Sequence, residues 1–282
     1  MMKVQIEGLS VGYEKQTIVR EMSLQIAEGK ITTIIGANGC GKSTLLKAIT
    51  RVIPYQGGNV IIDGKSIAKM NTKALAKKLA ILPQNPESAQ GLLVQELVSY
   101  GRFPYQKGLG SLSKKDKEMI EWALEVTRLT EFCDEPVDSL SGGQRQRVWI
   151  AMALAQGTEM IFLDEPTTYL DMAHQLEVLE LLERLNKDEG RTIVMVLHDV
   201  NQASRFSHEI IALTKGQLAG HGTPEQIMTP ALLRKVFNID AVIGDDPRTK
   251  KPICITYDLI KGEEERDEEM ADDFARTLVG SM

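Results

Sequence analysis

Short apolar runs and amphipathic stretches alternate along this chain, and the alternation changes character twice. In the first part apolar residues recur at every second position or in brief runs, which predicts strands over 4–9, 18–26, 31–35 and 59–62. Glu28-Gly29-Lys30, Gln56-Gly57-Gly58 and Asp63-Gly64 supply turn chemistry between them. A short strand over 79–82 runs into Pro83-Gln84. From about 92 to 155 the period lengthens to that of helices, with loops expected around Gly108-Leu109-Gly110 and Glu135-Pro136. Strands over 160–163, 192–197 and 210–213 then alternate with helices over 173–186 and 200–205. Wholly apolar strands separated by helices predict a parallel sheet covered on both faces. The expected α/β fold has a core from 1–86 and 157–260, including an antiparallel N-terminal β-subdomain. A helical subdomain over 87–156 interrupts that core, and 261–282 forms an acidic tail.

One loop carries most of the chemistry. Gly36-Ala37-Asn38-Gly39-Cys40-Gly41-Lys42-Ser43 fits the phosphate-loop pattern G-x-x-x-x-G-K-[ST], entered by the strand 31–35 and left by a helix over 43–49 whose Thr44 joins the candidate nucleotide contacts. Glycines let successive N–H groups turn inward onto phosphate oxygens, and the helix N-terminus adds unpaired donors and its positive dipole end. Lys42 can reach the β- and γ-phosphates, and the Ser43 hydroxyl can ligate Mg²⁺. The loop predicts a nucleoside-triphosphate site on a P-loop NTPase core. A second signal is Met160-Ile161-Phe162-Leu163-Asp164-Glu165, a buried strand ending in two carboxylates. Ligands of open parallel sheets bind at that end, so Asp164 is positioned to hold Mg²⁺ and Glu165 to polarise the water that attacks the γ-phosphorus. Cys40, inside the loop, is either a small filler or a thiol whose pKa the helix N-terminus lowers.

Composition narrows the class. The chain has 282 residues, enough for one large domain with an insertion, and a net charge of −6 that argues against a nucleic-acid partner. Its apolar runs are too short to cross a bilayer, and the first residues alternate like a strand rather than forming a signal peptide. Three widely separated cysteines suggest neither a disulfide framework nor a zinc site. These features together predict the cytosol. Glu263 to Glu269 and Asp272-Asp273 form an acidic block that reads as a solvated tail.

Leu140-Ser141-Gly142-Gly143-Gln144 lies between the two nucleotide motifs, before a helix over 145–155. Ser141 with Gln144 fits a capping box, and the paired glycines open a helix N-terminus to an anion. With these motifs in this order the chain resembles the ATP-binding-cassette ATPases over nearly its whole length. The resemblance implies a head-to-tail homodimer in which Ser141, Gly142, Gly143 and Gln144 of one copy complete the ATP site of the other. It implies adenine stacking on Tyr13, with Ile18 beside it, unless both are simply strand core. Gln84 would meet Mg²⁺ and the attacking water, Asp171 would cross the dimer interface, and His198 would bond the γ-phosphate and orient Glu165. By themselves Gln84 is a polar loop residue and Asp171 a helix N-cap. His174, His208 and His221 have no such placement and receive no role.

A cassette of this kind must press on separate membrane subunits or serve a process other than transport. Its single, short form disfavours the DNA-repair and ribosome-acting relatives. Glu165-Pro166-Thr167-Thr168-Tyr169-Leu170-Asp171-Met172-Ala173-His174-Gln175, His198 to Ala203, Gly222-Thr223-Pro224 and Val236 to Asp240 resemble ATPase subunits of importers for iron(III)–siderophore complexes. Haem and cobalamin importers are near neighbours, and a soluble cassette acting in iron–sulfur cluster assembly is the alternative. The resemblance implies permease subunits docking on 84–105, with Phe103, Pro104 and Tyr105 as contacts or else as core. It also implies an extracytoplasmic binding protein acting indirectly and a peripheral position on the cytoplasmic face of the membrane.

Overall fold

The protein is described by a computed structural model covering residues 4–14, 16–84, 89–106 and 111–260. The acidic tail and the Gly108–Gly110 loop expected from sequence lie outside the described residues. Strands β1 (Val4–Tyr13) and β2 (Gln16–Ile26) form an antiparallel pair. They are followed by β3 (Ile31–Gly36), α1 (Lys42–Ile49), β4 (Gly57–Ile62) and the two-residue β5 (Lys65–Ser66). β2, β1, β4 and β5 make one antiparallel sheet in that order. After α2 (Thr72–Ala76) and β6 (Leu79–Leu82) come the helices α3 (Val94–Ser99), α4 (Lys114–Val126) and α5 (Gly142–Ala155).

The remainder alternates as β7 (Met160–Asp164), α6 (Met172–Glu189), β8 (Thr192–Val196), α7 (Val200–Phe206) and β9 (Glu209–Thr214). It closes with β10 (Gln217–Gly222), α8 (Pro224–Ile227), α9 (Pro230–Phe237) and a hairpin of β11 (Ile239–Asp245) and β12 (Pro252–Leu259). The second sheet runs β10-β9-β3-β8-β7-β6, parallel except at β10. Every residue of β3, β7 and β8 is buried, because the sheet is covered on both faces. Ile34, Phe162 and Val196 pack with α1 and the antiparallel sheet. Ile35, Leu163 and Met195 pack on the other face, against α3, α5 and α6.

Local chemistry sets the element ends. Gly41, at φ 105°, occupies a backbone conformation that L side chains rarely adopt, and it turns the chain from the loop into α1. Ser113 and Asp116 close a capping box on α4. The helix expected over 145–155 starts three residues earlier, since the Ser141 capping box puts the two glycines in its first turn. The C-terminal hairpin was not expected as strands, and Asn201 fastens it to α7. The Asn201 amide donates to Cys254 O (3.0 Å) and its carbonyl accepts from Cys254 N (2.8 Å).

Candidate functional site

The C-terminal ends of β3 and β7 bring the loop 36–44 and the carboxylates Asp164 and Glu165 together. Tyr13, Ile18, Asn38, Gly39, Gly41, Lys42, Ser43, Thr44, Gln84, Glu165 and His198 line one open cleft of about 490 Å³. Tyr13 is half exposed at its rim, free to offer a ring face to a base. The buried Lys42 ammonium donates to the carbonyls of Gly36 (2.8 Å) and Ala37 (3.2 Å), which aims it across the loop.

Ser43 donates to Asp164 Oδ1 at 2.7 Å. The other oxygen, Asp164 Oδ2, is buried without a hydrogen-bond partner, and its nearest cation is Lys47 Nζ at 4.0 Å. Burial pushes the Asp164 carboxyl above its usual value; the Ser43 hydrogen bond and Lys47 oppose that rise, while neighbouring Glu165 adds to it. An orphaned carboxylate oxygen beside a hydroxyl suits a hard divalent cation, whose charge would remove the penalty.

Glu165 is held from three sides. His198 Nε2 lies 2.7 Å from its Oε1, while Gln84 Nε2 (2.6 Å) and Thr168 Oγ1 (3.1 Å) donate to its Oε2. Its φ of 55° is rare for a side-chain-bearing residue and turns the carboxylate back toward the cleft. Thr168 escaped the sequence reading; its spacing of three residues from Glu165, within the turn that ends the strand, was the available signal. The Cys40 thiol is pushed up by burial, which outweighs Lys42, and a Cβ on Gly36 would lie 2.6 Å from its sulfur. Of the two readings of Cys40, the structure favours the small filler: the side chain is buried and packed against Gly36.

Ser141, Gly142, Gly143, Gln144 and Asp171 stand apart from this cleft. Asp171 caps α6, accepting from His174 N at 3.0 Å. Tyr169 and Met172, on either side of Asp171, are 88% and 81% exposed. Gln146 Nε2 donates to Pro166 O at 2.9 Å, tying α5 to the loop that leaves β7. In the 84–105 region Phe103 stacks on Tyr100 with ring centroids 4.9 Å apart, and both are exposed. Tyr105 lies over the Arg102 guanidinium, and 85–88 lie outside the described residues.

A parallel sheet with a glycine-rich loop, a buried lysine bonded across that loop and two strand-end carboxylates defines a P-loop nucleoside triphosphatase. The family model described as ABC transporter matches residues 19–168, and the chain belongs to that family as an ABC-type ATPase. The iron(3+)-hydroxamate import ATP-binding protein of Bacillus subtilis is 58% identical, the match covering 94% of this chain and 98% of that protein. Among solved structures, a metal-chelate type ABC transporter in an inward-facing conformation superposes with TM-score 0.78 at 26% identity, over 92% of this chain and 98% of that one. The cassette MJ0796, solved as a dimer in a post-hydrolysis state with ADP and Pi, gives TM-score 0.68 at 30% identity, over 78% and 98%.

Proposed function

We propose that this ATPase energises a membrane importer for iron(III)–siderophore complexes, of the hydroxamate type. The similarity to the Bacillus subtilis hydroxamate-import protein over nearly the full length of both chains carries the substrate class. No helix among the described residues is long and apolar enough to cross a membrane. Separate permease subunits would carry the chelate pathway. The exposed Tyr100–Phe103 pair supports docking of a permease there, at the cytoplasmic face of the membrane. A substrate-binding protein outside would act through the permeases.

The clamp on Glu165 carries the mechanism. ATP sits with its adenine on Tyr13 and Ile18 and its phosphates in the loop 36–44. Lys42 and the loop amides take up phosphate charge; Ser43 and Asp164, with Gln84, would hold Mg²⁺, which supplies further neutralisation. Glu165 orients water and accepts its proton, and His198, Gln84 and Thr168 fix the two carboxylate oxygens so that little reorganisation is needed. Ser141, Gly142, Gly143 and Gln144 reach a nucleotide only from a second copy, and the solvent-facing Tyr169 and Met172 around Asp171 support that pairing. The test has two arms. Glu165→Gln is expected to bind ATP, form a dimer visible by size-exclusion chromatography and hydrolyse about a hundredfold more slowly. Cells lacking this chain should lose uptake of labelled ferric hydroxamates and regain it with the wild type only. Normal turnover in the variant defeats the role of Glu165, and unchanged uptake defeats the substrate class.

A further inference from the structure

His174 lies between two functional loops that the cleft itself does not join. Its Nδ1 is 2.8 Å from Asp171 Oδ1, in the first turn of α6. On its other side the ring covers Gly143: a Cβ built on Gly143 would stand 2.6 Å from His174 Cδ2 and 2.8 Å from Cγ. Gly143 is buried although its neighbours Ser141 and Gly142 are exposed, and the absent side chain leaves the space the imidazole fills. We propose that His174 is a positioning residue: its ring sets the first turn of α5, and with it Ser141 and Gly143, against the Asp171 loop of the same chain.

The inference rests on the composite-site reading above. Asp171 follows, in one loop, from the Glu165 that serves the nucleotide of its own chain, whereas Gly143 serves that of the partner. One imidazole therefore fixes the spacing between a chain's contributions to two different ATP sites. The Gln146 bond to Pro166 holds α5 further along, and the Ser141–Gln144 capping box shapes the glycine turn from within, without tying it to the Asp171 loop. An error in this spacing displaces donors from a transferring phosphate without touching Lys42 or the loop 36–44.

The test uses the full chain with His174→Ala, His174→Asn and His174→Phe. Asn can keep the bond to Asp171 without a ring on Gly143; Phe keeps the ring without the bond. Ala and Asn are expected to turn over ATP about tenfold more slowly and Phe to keep roughly half the wild-type rate, since a small misplacement suffices for such losses. All three should match the wild type in melting temperature and in binding a fluorescent ATP analogue without magnesium. Wild-type turnover in His174→Ala overturns the proposal, as does recovery by Asn equal to that by Phe, or a rate loss that tracks a fall in melting temperature. Ser141→Arg is measured alongside. If it hydrolyses normally, the composite site itself fails; if it is inactive while His174→Ala is normal, only the role of His174 fails.

Discussion

At the residue scale the site places two carboxylates side by side at the end of a buried strand and treats them differently. Glu165 has a partner on each oxygen, while Asp164 keeps one oxygen unpaired in the interior. Because the Asp164 pKa is raised, the folded chain holds its proton at pH values where the unfolded chain has released it. Stability therefore falls as pH rises from the ordinary carboxylate value through the raised one, and the whole penalty is present above the raised one. Asp164→Asn should thus raise Tm at pH 7 by about 2–4 °C, the equivalent of roughly 1 kcal/mol in a chain of this size, while abolishing magnesium-dependent hydrolysis. Calorimetry at pH 7 beside an ATPase assay checks both, and a lower Tm would show that the orphaned oxygen is no burden.

At the element scale a buried ion pair ties together the segments around α3, α4 and α5. Arg102 donates to Asp116 at 2.8 Å and to Ala155 O at 2.7 Å, joining the turn after α3 to α4 and to the end of α5. Both side chains are buried, at 3% and 8% exposure. Arg102→Ala strands a carboxylate there and should cost about 3–5 kcal/mol in chemical denaturation. Burial raises the Asp116 pKa, but the hydrogen bonds from Ser113 and Arg102 outweigh it and hold the carboxyl below its ordinary value. The contribution is therefore complete above about pH 4 and is lost as pH falls through the depressed pKa, so the gap between variant and wild type should narrow in acid. Elements were legible where one rule acted alone. The strand 79–82 and the apolar strands β7 and β8 could be read from composition, because burial on both faces leaves no other pattern. The start of α5 was misplaced by three residues: the Ser141 capping box legible in the sequence already marks the N-cap, but two glycines in a first turn argue locally against a helix.

At the scale of the whole molecule, the sheet core and the C-terminal hairpin depend on each other unequally. The hairpin packs a small cluster of Met228, Leu233, Ala241 and Cys254. It is secured by Asn201 and by Lys251, whose ammonium caps the carbonyls of Arg205 (2.8 Å) and Ser207 (2.7 Å) at the end of α7. Asn201→Ala should weaken this attachment by about 1–3 kcal/mol, the cost of leaving buried backbone groups unpaired. Hydrogen exchange over 252–259 should then quicken while protection of β3 and β7 and nucleotide binding stay as in the wild type. Loss of protection throughout would mean that the hairpin and the core unfold as one unit. The hairpin escaped the sequence reading because β12 is half exposed, carrying Ile255, Tyr257 and Leu259 toward solvent, so its pattern is not that of a buried strand.

Residues adjacent along the chain made the phosphate loop, the strand-end carboxylates and the capped glycine turn readable without coordinates, since each is a short segment whose backbone chemistry dictates its own shape. The unpaired oxygen of Asp164 and the imidazole of His174 against Gly143 came only from the tertiary structure. Such contacts depend on where strands and helices distant in sequence finish beside one another, and that is fixed by how the whole core packs.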